Sequence, residues 1–147
     1  MSARTPLQNL CRALSQALDI PEPALRSQAG KPQGFRLRID ADCEINFAQV
    51  PGDPDDLAYA LIDLGPADTA ACNTLLQANF LAAGAGGPVY SRNPANGHAL
   101  LQSALRLGAV DGATLLASLR QMAAAAGRWR ADASRAAHAQ AAAFQRA

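Results

Sequence analysis

Apolar residues near the start of the chain recur with the period of an α-helix. They form one stripe at Leu7, Leu10, Cys11, Leu14 and Leu18. Thr5 is a residue type that caps helices, and Pro6 suits the first helical position, where no N–H bond is lost. The segment 19–23 ends the helix, because each of its prolines pushes the preceding residue out of the helical region. The pattern therefore predicts a first helix with one apolar face.

The following segments alternate apolar and polar side chains, which is typical of strands with one buried face. Residues 35–40 read Phe-Arg-Leu-Arg-Ile-Asp and residues 43–47 read Cys-Glu-Ile-Asn-Phe, so they predict a hairpin around Ala41 and Asp42. Residues 57–64 form a short, almost continuous apolar run. We interpret this run as a central strand, although its pattern alone does not separate a strand from a buried helix.

Capping and turn residues organise the next segments. Asp68 or Thr69 can cap a helix that runs to about residue 82, and Gly84 suits its C-terminal cap. Short strands are predicted at 89–91 and 98–102. The Asn96-Gly97 pair between them favours the positive φ angles of a tight turn.

A last helix is predicted from Asp111 to Trp129. Leu119, Met122 and Trp129 share one face of it, so we expect Trp129 to be a substantially buried anchor. The segment 131–147 is rich in alanine, which favours a helix but offers little to bury. We therefore divide the chain into an α+β domain at 1–130 and a helical or disordered tail at 131–147.

The element order α-β-β-β-α-β-β-α indicates an α+β fold. Such an order favours a twisted, mainly antiparallel sheet packed with helices. The apolar stripes of the 68–82 and 111–129 helices exceed what one thin sheet can cover. The sequence therefore predicts a homodimer.

Composition and charge limit the function classes. The 13 basic and 12 acidic residues give a net charge of +1, which argues against a dedicated nucleic-acid binder. Cys11, Cys43 and Cys72 are scattered, as reduced thiols in the cytosol would be. The first residues lack the apolar core of a signal peptide, and no run of about 18 apolar residues occurs. We expect a cytoplasmic protein without membrane insertion.

No pattern of residues predicts a catalytic, cofactor or metal site. The glycines at 84–87 lack the Gly-Lys-Ser/Thr that completes a phosphate-binding loop, so we interpret them as a helix end. His98 and His138 are too far apart in sequence to form a local metal motif. A catalytic pair of Cys43 or Cys72 with a distant histidine stays open, although no nucleophile motif surrounds either cysteine.

A set of motifs in the second half of the chain resembles the type III secretion chaperones of single effectors, the Tir-chaperone or CesT-like family. These chaperones show a Leu-Leu-x-Ala-Asn-Leu helix end, a Gly-Gly turn, strands around Asp-Pro-x-Thr-Gly, a Leu-x-x-Leu-Asp helix start and a late Trp-Arg. The matching residues here are Leu75, Leu76, Ala78, Asn79, Gly86, Gly87, Asn93, Pro94, Gly97, Asp111, Trp129 and Arg130. Leu18-Asp19-Ile20-Pro21 is similar to the Leu-Gly-Leu-Pro that closes the family's first helix.

The resemblance implies a small homodimer in the bacterial cytosol that binds the N-terminal region of a secreted effector without nucleotide. It places the 68–82 helix, with Leu76 and Phe80, at the two-fold interface. It also suggests that the effector contacts the first helix and the sheet, with the short strands at 89–91 and 98–102 beside that helix. Effector-binding candidates are Leu7, Leu10, Leu14, Val89 and Leu100, each of which is equally compatible with a plain core position.

Two other readings stay open at this point. A dimeric α+β module that binds or regulates proteins without a secreted client would have the same composition. A small cysteine enzyme is the third reading, without supporting spacing in the sequence.

Overall fold

The computed structural model describes residues 3–27, 33–50, 56–82, 87–109 and 111–146. Its elements, in chain order, are α1 (Pro6–Leu18), β1 (Gly34–Asp40), β2 (Cys43–Gln49), β3 (Leu57–Pro66), α2 (Thr69–Ala82), β4 (Val89–Arg92), β5 (His98–Arg106), a 3-10 turn (Leu107–Ala109) and α3 (Gly112–Gln145). The predicted order of helices and strands is confirmed. The predicted end of α2 at Gly84 lies outside the described residues.

The five strands form one antiparallel sheet in the order β1-β2-β3-β5-β4. The apolar run at 57–64 is the middle strand, as predicted. Both β3 and β5 extend beyond the predicted ends, because they pair with each other from Leu57↔Arg106 to Pro66↔His98. The long central ladder holds the two halves of the chain in one sheet.

Both α1 and α3 cover the same face of the sheet. We call it the helix face, and we call the opposite side the open face. The helix face carries the buried side chains of alternate strand residues, among them Phe35 and Phe47, whose stacked rings have centroids 4.6 Å apart. From the helices, the core receives the apolar residues Leu7, Leu10, Cys11, Leu14, Leu115, Leu116, Leu119, Met122, Ala123 and Ala126.

Local sequence explains where α1 begins and ends. The Thr5 hydroxyl accepts a bond from the Gln8 N–H, while the Gln8 side chain accepts from the Thr5 N–H, which completes a capping box. Asp19 adopts a left-handed conformation with φ of 52° and closes the helix. The residues at its two ends therefore set where α1 begins and ends. In the fold, α1 packs against β1 and α3.

The last helix is continuous through the alanine-rich segment and ends at Gln145. Residues 131–136 are exposed, so this part of α3 leaves the body of the fold. Trp129 lies where α3 still touches the sheet and packs against Tyr90, with ring centroids 6.5 Å apart. Its side chain is partly buried, so the expectation of a substantially buried anchor is met only in part. The division of the chain at residue 130 stays a prediction.

Candidate functional site

The outer side of α2 carries the most exposed large apolar side chains among the described residues. Leu76 is 64% exposed and Phe80 is 81% exposed, while the neighbouring Leu75 is buried in the core. Val89, at the start of β4, is 39% exposed. We call Leu76 and Phe80 the α2 patch. Exposed apolar side chains of this size are typical of protein–protein contact surfaces.

Asn79 fixes α2 against β4. The Asn79 side-chain amide donates to the Tyr90 carbonyl oxygen, and its own oxygen accepts from the Tyr90 N–H, each at 2.7 Å. β4 is the edge strand, so these backbone groups would otherwise face outward. One side chain therefore takes the place of a neighbouring strand at this edge and sets the α2 patch beside it.

A groove of about 460 Å³ lies between α2 and β4. Its walls include the partly buried Cys72, the buried Leu75 and the two exposed residues Leu76 and Arg92. The groove is thus continuous with the α2 patch and has both apolar and charged walls. It offers a surface to another protein segment.

The open face of the sheet is apolar along its middle strands. Tyr59 and Leu61 of β3 and Leu100 of β5 point to this face and are half-buried. They explain the near-continuous apolar run at 57–64, because β3 has apolar side chains on both faces. The run predicts a central strand, which is confirmed, but one of its two apolar faces is the face that α1 and α3 leave uncovered.

β1 is the edge strand at the opposite margin of the sheet. Phe35 and Leu37 point to the helix face and are buried, whereas Arg36 and Arg38 point to the open face and are exposed. The predicted alternation of buried and exposed side chains along this strand is confirmed. β1 is also an edge strand, so the outer backbone groups of Arg36 and Arg38, which have no backbone partner among the described residues, are available for pairing with an extended segment.

The structure separates the predicted effector-binding residues into two groups. Leu7, Leu10 and Leu14 are at most 5% exposed and pack into the core on the helix face. Val89 and Leu100 lie on the open face, paired with Gln102 and Ser91. The expectation that strands β4 and β5 lie beside α1 on a common groove therefore differs from the structure. The reason is strand order: β5 and β4 follow β3, and α1 lies at the β1 end.

The thiols of Cys11 and Cys43 are poorly placed for nucleophilic chemistry, because both are buried. Burial raises the pKa of the Cys11 thiol, and the nearby Glu22 raises it further. Burial and Asp40 also raise the pKa of Cys43, against a smaller opposing effect of Arg130. Raised values keep these thiols protonated, while a catalytic cysteine needs the thiolate. His98 instead contacts Asp63, with 3.0 Å from Nδ1 to either carboxylate oxygen.

Metal and membrane sites can be addressed for the described part of the chain. There, His, Cys, Asp and Glu side chains do not gather in groups of three or more that could hold a metal ion. Within the same residues, none of the helices is both long enough and apolar enough to cross a membrane.

Solved structures share this fold. A chain from the crystal structure of the Yersinia pestis type III secretion chaperone SycH with a stable fragment of YscM2 matches with a TM-score of 0.64 and 16% identity, over 84% of this chain and 98% of that one. A chain of the HopA1–SchA chaperone–effector complex matches with a TM-score of 0.69 and 13% identity, over 85% and 93%. A chain of the heterodimeric ExoU–SpcU complex from the type III secretion system of Pseudomonas aeruginosa matches with a TM-score of 0.59 and 18% identity, over 82% of this chain and 93% of that one.

Comparison with curated protein sequences gives no match. The model of the Tir chaperone protein (CesT) family, in contrast, matches residues 28–130. This span covers every strand of the sheet, α2, and α3 as far as the Trp129-Arg130 pair. The chain therefore belongs to the Tir chaperone protein (CesT) family.

Proposed function

We propose that this protein is a type III secretion chaperone that binds the N-terminal region of a secreted effector and keeps it competent for export without nucleotide. Membership of a chaperone family over residues 28–130 is the observation that carries the proposal. Similar folds occur in complexes whose names pair a chaperone with an effector. The α2 patch and the open face suit such a role, because both leave apolar side chains accessible to another protein.

The mode of binding follows from which surfaces are open. An unfolded effector segment can add a strand to a sheet edge and place apolar side chains on an apolar face. The β1 edge and the open face, with Tyr59, Leu61 and Leu100, offer both kinds of contact. Ordering a flexible segment over a wide surface gives reversible binding, which release for export requires. No step of this mechanism consumes nucleotide.

Of the predicted effector contacts, Val89 and Leu100 are retained in the proposal. Both side chains reach the open face and have free surface. Leu7, Leu10 and Leu14 are assigned to the core instead, because burial leaves them little area to share with another chain. We further propose that the α2 patch, with Leu76 and Phe80, forms the interface of a homodimer.

A dimeric module that binds or regulates proteins without a secreted client remains the second candidate. The α2 patch and the open face support it equally well, since any protein-binding module needs such surfaces. The two candidates differ in the nature of the partner, which has to be exported by a type III apparatus in the first case alone.

The test begins with co-purification of partners on the tagged protein in its native cell. We expect a partner that the type III apparatus exports, and we expect its isolated N-terminal segment to bind in calorimetric titration with or without ATP. Leu100→Asp should weaken this binding, because it puts a charge on the open face. Ala124→Asp is the matched control, since Ala124 is an exposed residue of α3.

The control should bind like the wild type, and both variants should keep the wild-type melting temperature within a few degrees. Binding that requires nucleotide would contradict the proposal. So would complete loss of binding at about 0.3 M salt, where charges are screened within roughly 6 Å, because apolar contact should survive there. A partner that is never exported would favour the second candidate.

A further inference from the structure

Within the described part of the chain, the β1 edge is open from Arg36 onward. The Gln49 N–H donates to the Gln33 carbonyl oxygen, so backbone groups of Gln33, Phe35 and Leu37 point toward β2. By the same alternation, those of Gly34, Arg36 and Arg38 point away from the sheet. Among the described residues, the Arg36 and Arg38 backbone groups have no backbone partner outside the sheet. This stretch can accept another strand.

The chain itself closes one end of this edge. The Arg26 N–H donates to the Gly34 carbonyl oxygen at 2.7 Å, and the Gly34 N–H donates to the Arg26 carbonyl oxygen at 3.1 Å. The segment before Arg26 then turns toward α1, where the Cys11 thiol donates to the Pro23 carbonyl oxygen at 3.7 Å. Free pairing positions therefore begin at Arg36 and end near Asp40, a length of roughly 15 Å or a strand of about five residues.

Side chains on the two sides of this edge differ in chemistry. Residues directly opposite each other in a strand pair share a face. Arg26, opposite Gly34, therefore lies on the open face with Arg36 and Arg38. Glu44, at 3.6 Å from Arg36, lies on that face and offsets one of these charges. The exposed Asp40 ends the strand, so the basic part of the edge is the stretch at Arg36 and Arg38.

The helix-face side of the same edge is apolar. Leu25 precedes Arg26 and is partly buried against the core. Ile39, farther along β1, is also partly buried. The pair of Leu25 and Arg26 shows what this edge accepts from a neighbouring strand: an apolar side chain toward the helices and a polar one toward the open face.

We propose that the open edge of β1 selects an effector segment in which acidic residues alternate with apolar residues. The acidic side chains lie opposite Arg36 and Arg38 on the open face, and the apolar ones lie beside Leu37 and Ile39 on the helix face. The Arg26–Gly34 pair fixes the register, because it stops the added strand at Arg36. The inference rests on the proposed chaperone function and names the chemistry of the segment that the chaperone takes.

Short synthetic peptides that alternate valine with glutamate, with lysine or with serine test the selection. The measurement is the hydrogen exchange of the Arg36 and Arg38 amides by NMR. The glutamate peptide should protect both amides at a concentration on the order of ten-fold lower than the lysine peptide, since exposed ion pairs contribute about two- to five-fold each. The Gly34 amide, bonded to Arg26, should be protected equally with and without peptide.

A double charge reversal supplies the matched comparison. Arg36→Glu with Arg38→Glu should invert the preference, so that the lysine peptide protects better. Arg120→Glu with Arg128→Glu makes the same change of net charge at exposed positions of α3 and should keep the wild-type preference. Equal protection by all three peptides would overturn the charge selection, and protection of the Gly34 amide by peptide alone would overturn the register.

The test of the β1 edge can fail while the proposed chaperone function stands, and the reverse is also possible. Suppose that a captured effector binds through its N-terminal segment but protects neither the Arg36 nor the Arg38 amide. The edge site is then wrong, while the chaperone function stands. If the peptides behave as expected but the partners of the protein are not exported, the proposed function fails and the edge selection stands.

Discussion

Asn79 shows how one residue decides the environment of a strand edge. It satisfies both backbone groups of Tyr90 with one amide, and a single orientation of that amide makes both bonds possible. The sequence marks Asn79 as part of a family motif, yet its position near the end of an apolar helix does not reveal its partner. The partner lies eleven residues away, on the edge strand. The role of Asn79 is therefore structural: it holds α2 against the edge strand and so orients the α2 patch.

Replacing Asn79 by alanine should destabilise the protein. The Tyr90 N–H and carbonyl are part-buried and would lose their partner, at a cost of about 1–3 kcal/mol in the free energy of unfolding. Chemical denaturation measures the change. Asn73→Ala is the matched control, because Asn73 is an exposed asparagine of the same helix. Equal stabilities of the two variants would show that the Tyr90 contact contributes nothing.

At the scale of elements, α3 depends on its first residues as well as on its apolar face. The Asp111 carboxylate accepts bonds from the Thr114 N–H at 3.1 Å and from the Thr114 hydroxyl at 2.9 Å. These bonds lower the pKa of Asp111, with Ala113 contributing less. They occupy backbone donors that the first turn of any helix leaves unpaired. The same helix later places Arg130, which donates to the Asp42 and Asp63 carbonyl oxygens and joins α3 to the sheet.

The lowered pKa of Asp111 predicts a pH dependence of stability. A carboxyl group whose pKa is lower in the folded state stabilises the fold above its unfolded pKa of about 4, and the contribution is lost as pH falls through the folded value. Asp111→Asn keeps an acceptor for the cap but cannot titrate. The wild type should therefore lose stability relative to this variant as the pH falls below about 4. Thermal melts of both proteins at pH 7 and pH 3 measure this loss of stability. A difference in melting temperature that is the same at both pH values would contradict the lowered pKa of Asp111.

At the scale of the whole molecule, the fold is a sheet with helices on one side. The helix face is closed by α1 and α3, while the open face and the α2 patch keep apolar area in contact with water. Two such surfaces on one small chain fit the proposed function, in which the protein binds both a copy of itself and a client. The α2 patch lies beside an edge strand that Asn79 has closed, whereas β1 at the far edge is open to an added strand.

The homodimer should depend on the α2 patch. Phe80→Asp should convert the dimer to a monomer, because it places a charge on the most exposed large apolar side chain of that surface, while little core packing is lost. Light scattering at micromolar concentration measures the mass. Thr74→Asp adds the same charge at an exposed position on the other side of α2 and should stay dimeric. A wild-type protein that is monomeric at this concentration would contradict the dimer proposal.

The sequence by itself determined the order of the elements and, for β1 and β2, the side of the strand that is buried. Periods of 3.6 and 2 residues and the caps at Thr5 and Asp111 depend on near neighbours in the chain, so they are visible without the fold. Family membership was also readable there, because its motifs are short and ordered along the chain.

The tertiary structure decided the rest, since strand order and helix placement join residues far apart in sequence. That is why Leu7, Leu10 and Leu14 looked equally suited to a groove and to the core until their burial was known. It is also why Val89 and Leu100 turned out to lie away from α1, and why Arg26, Arg36 and Arg38 were recognised as one basic edge only once β1 and its neighbour were placed.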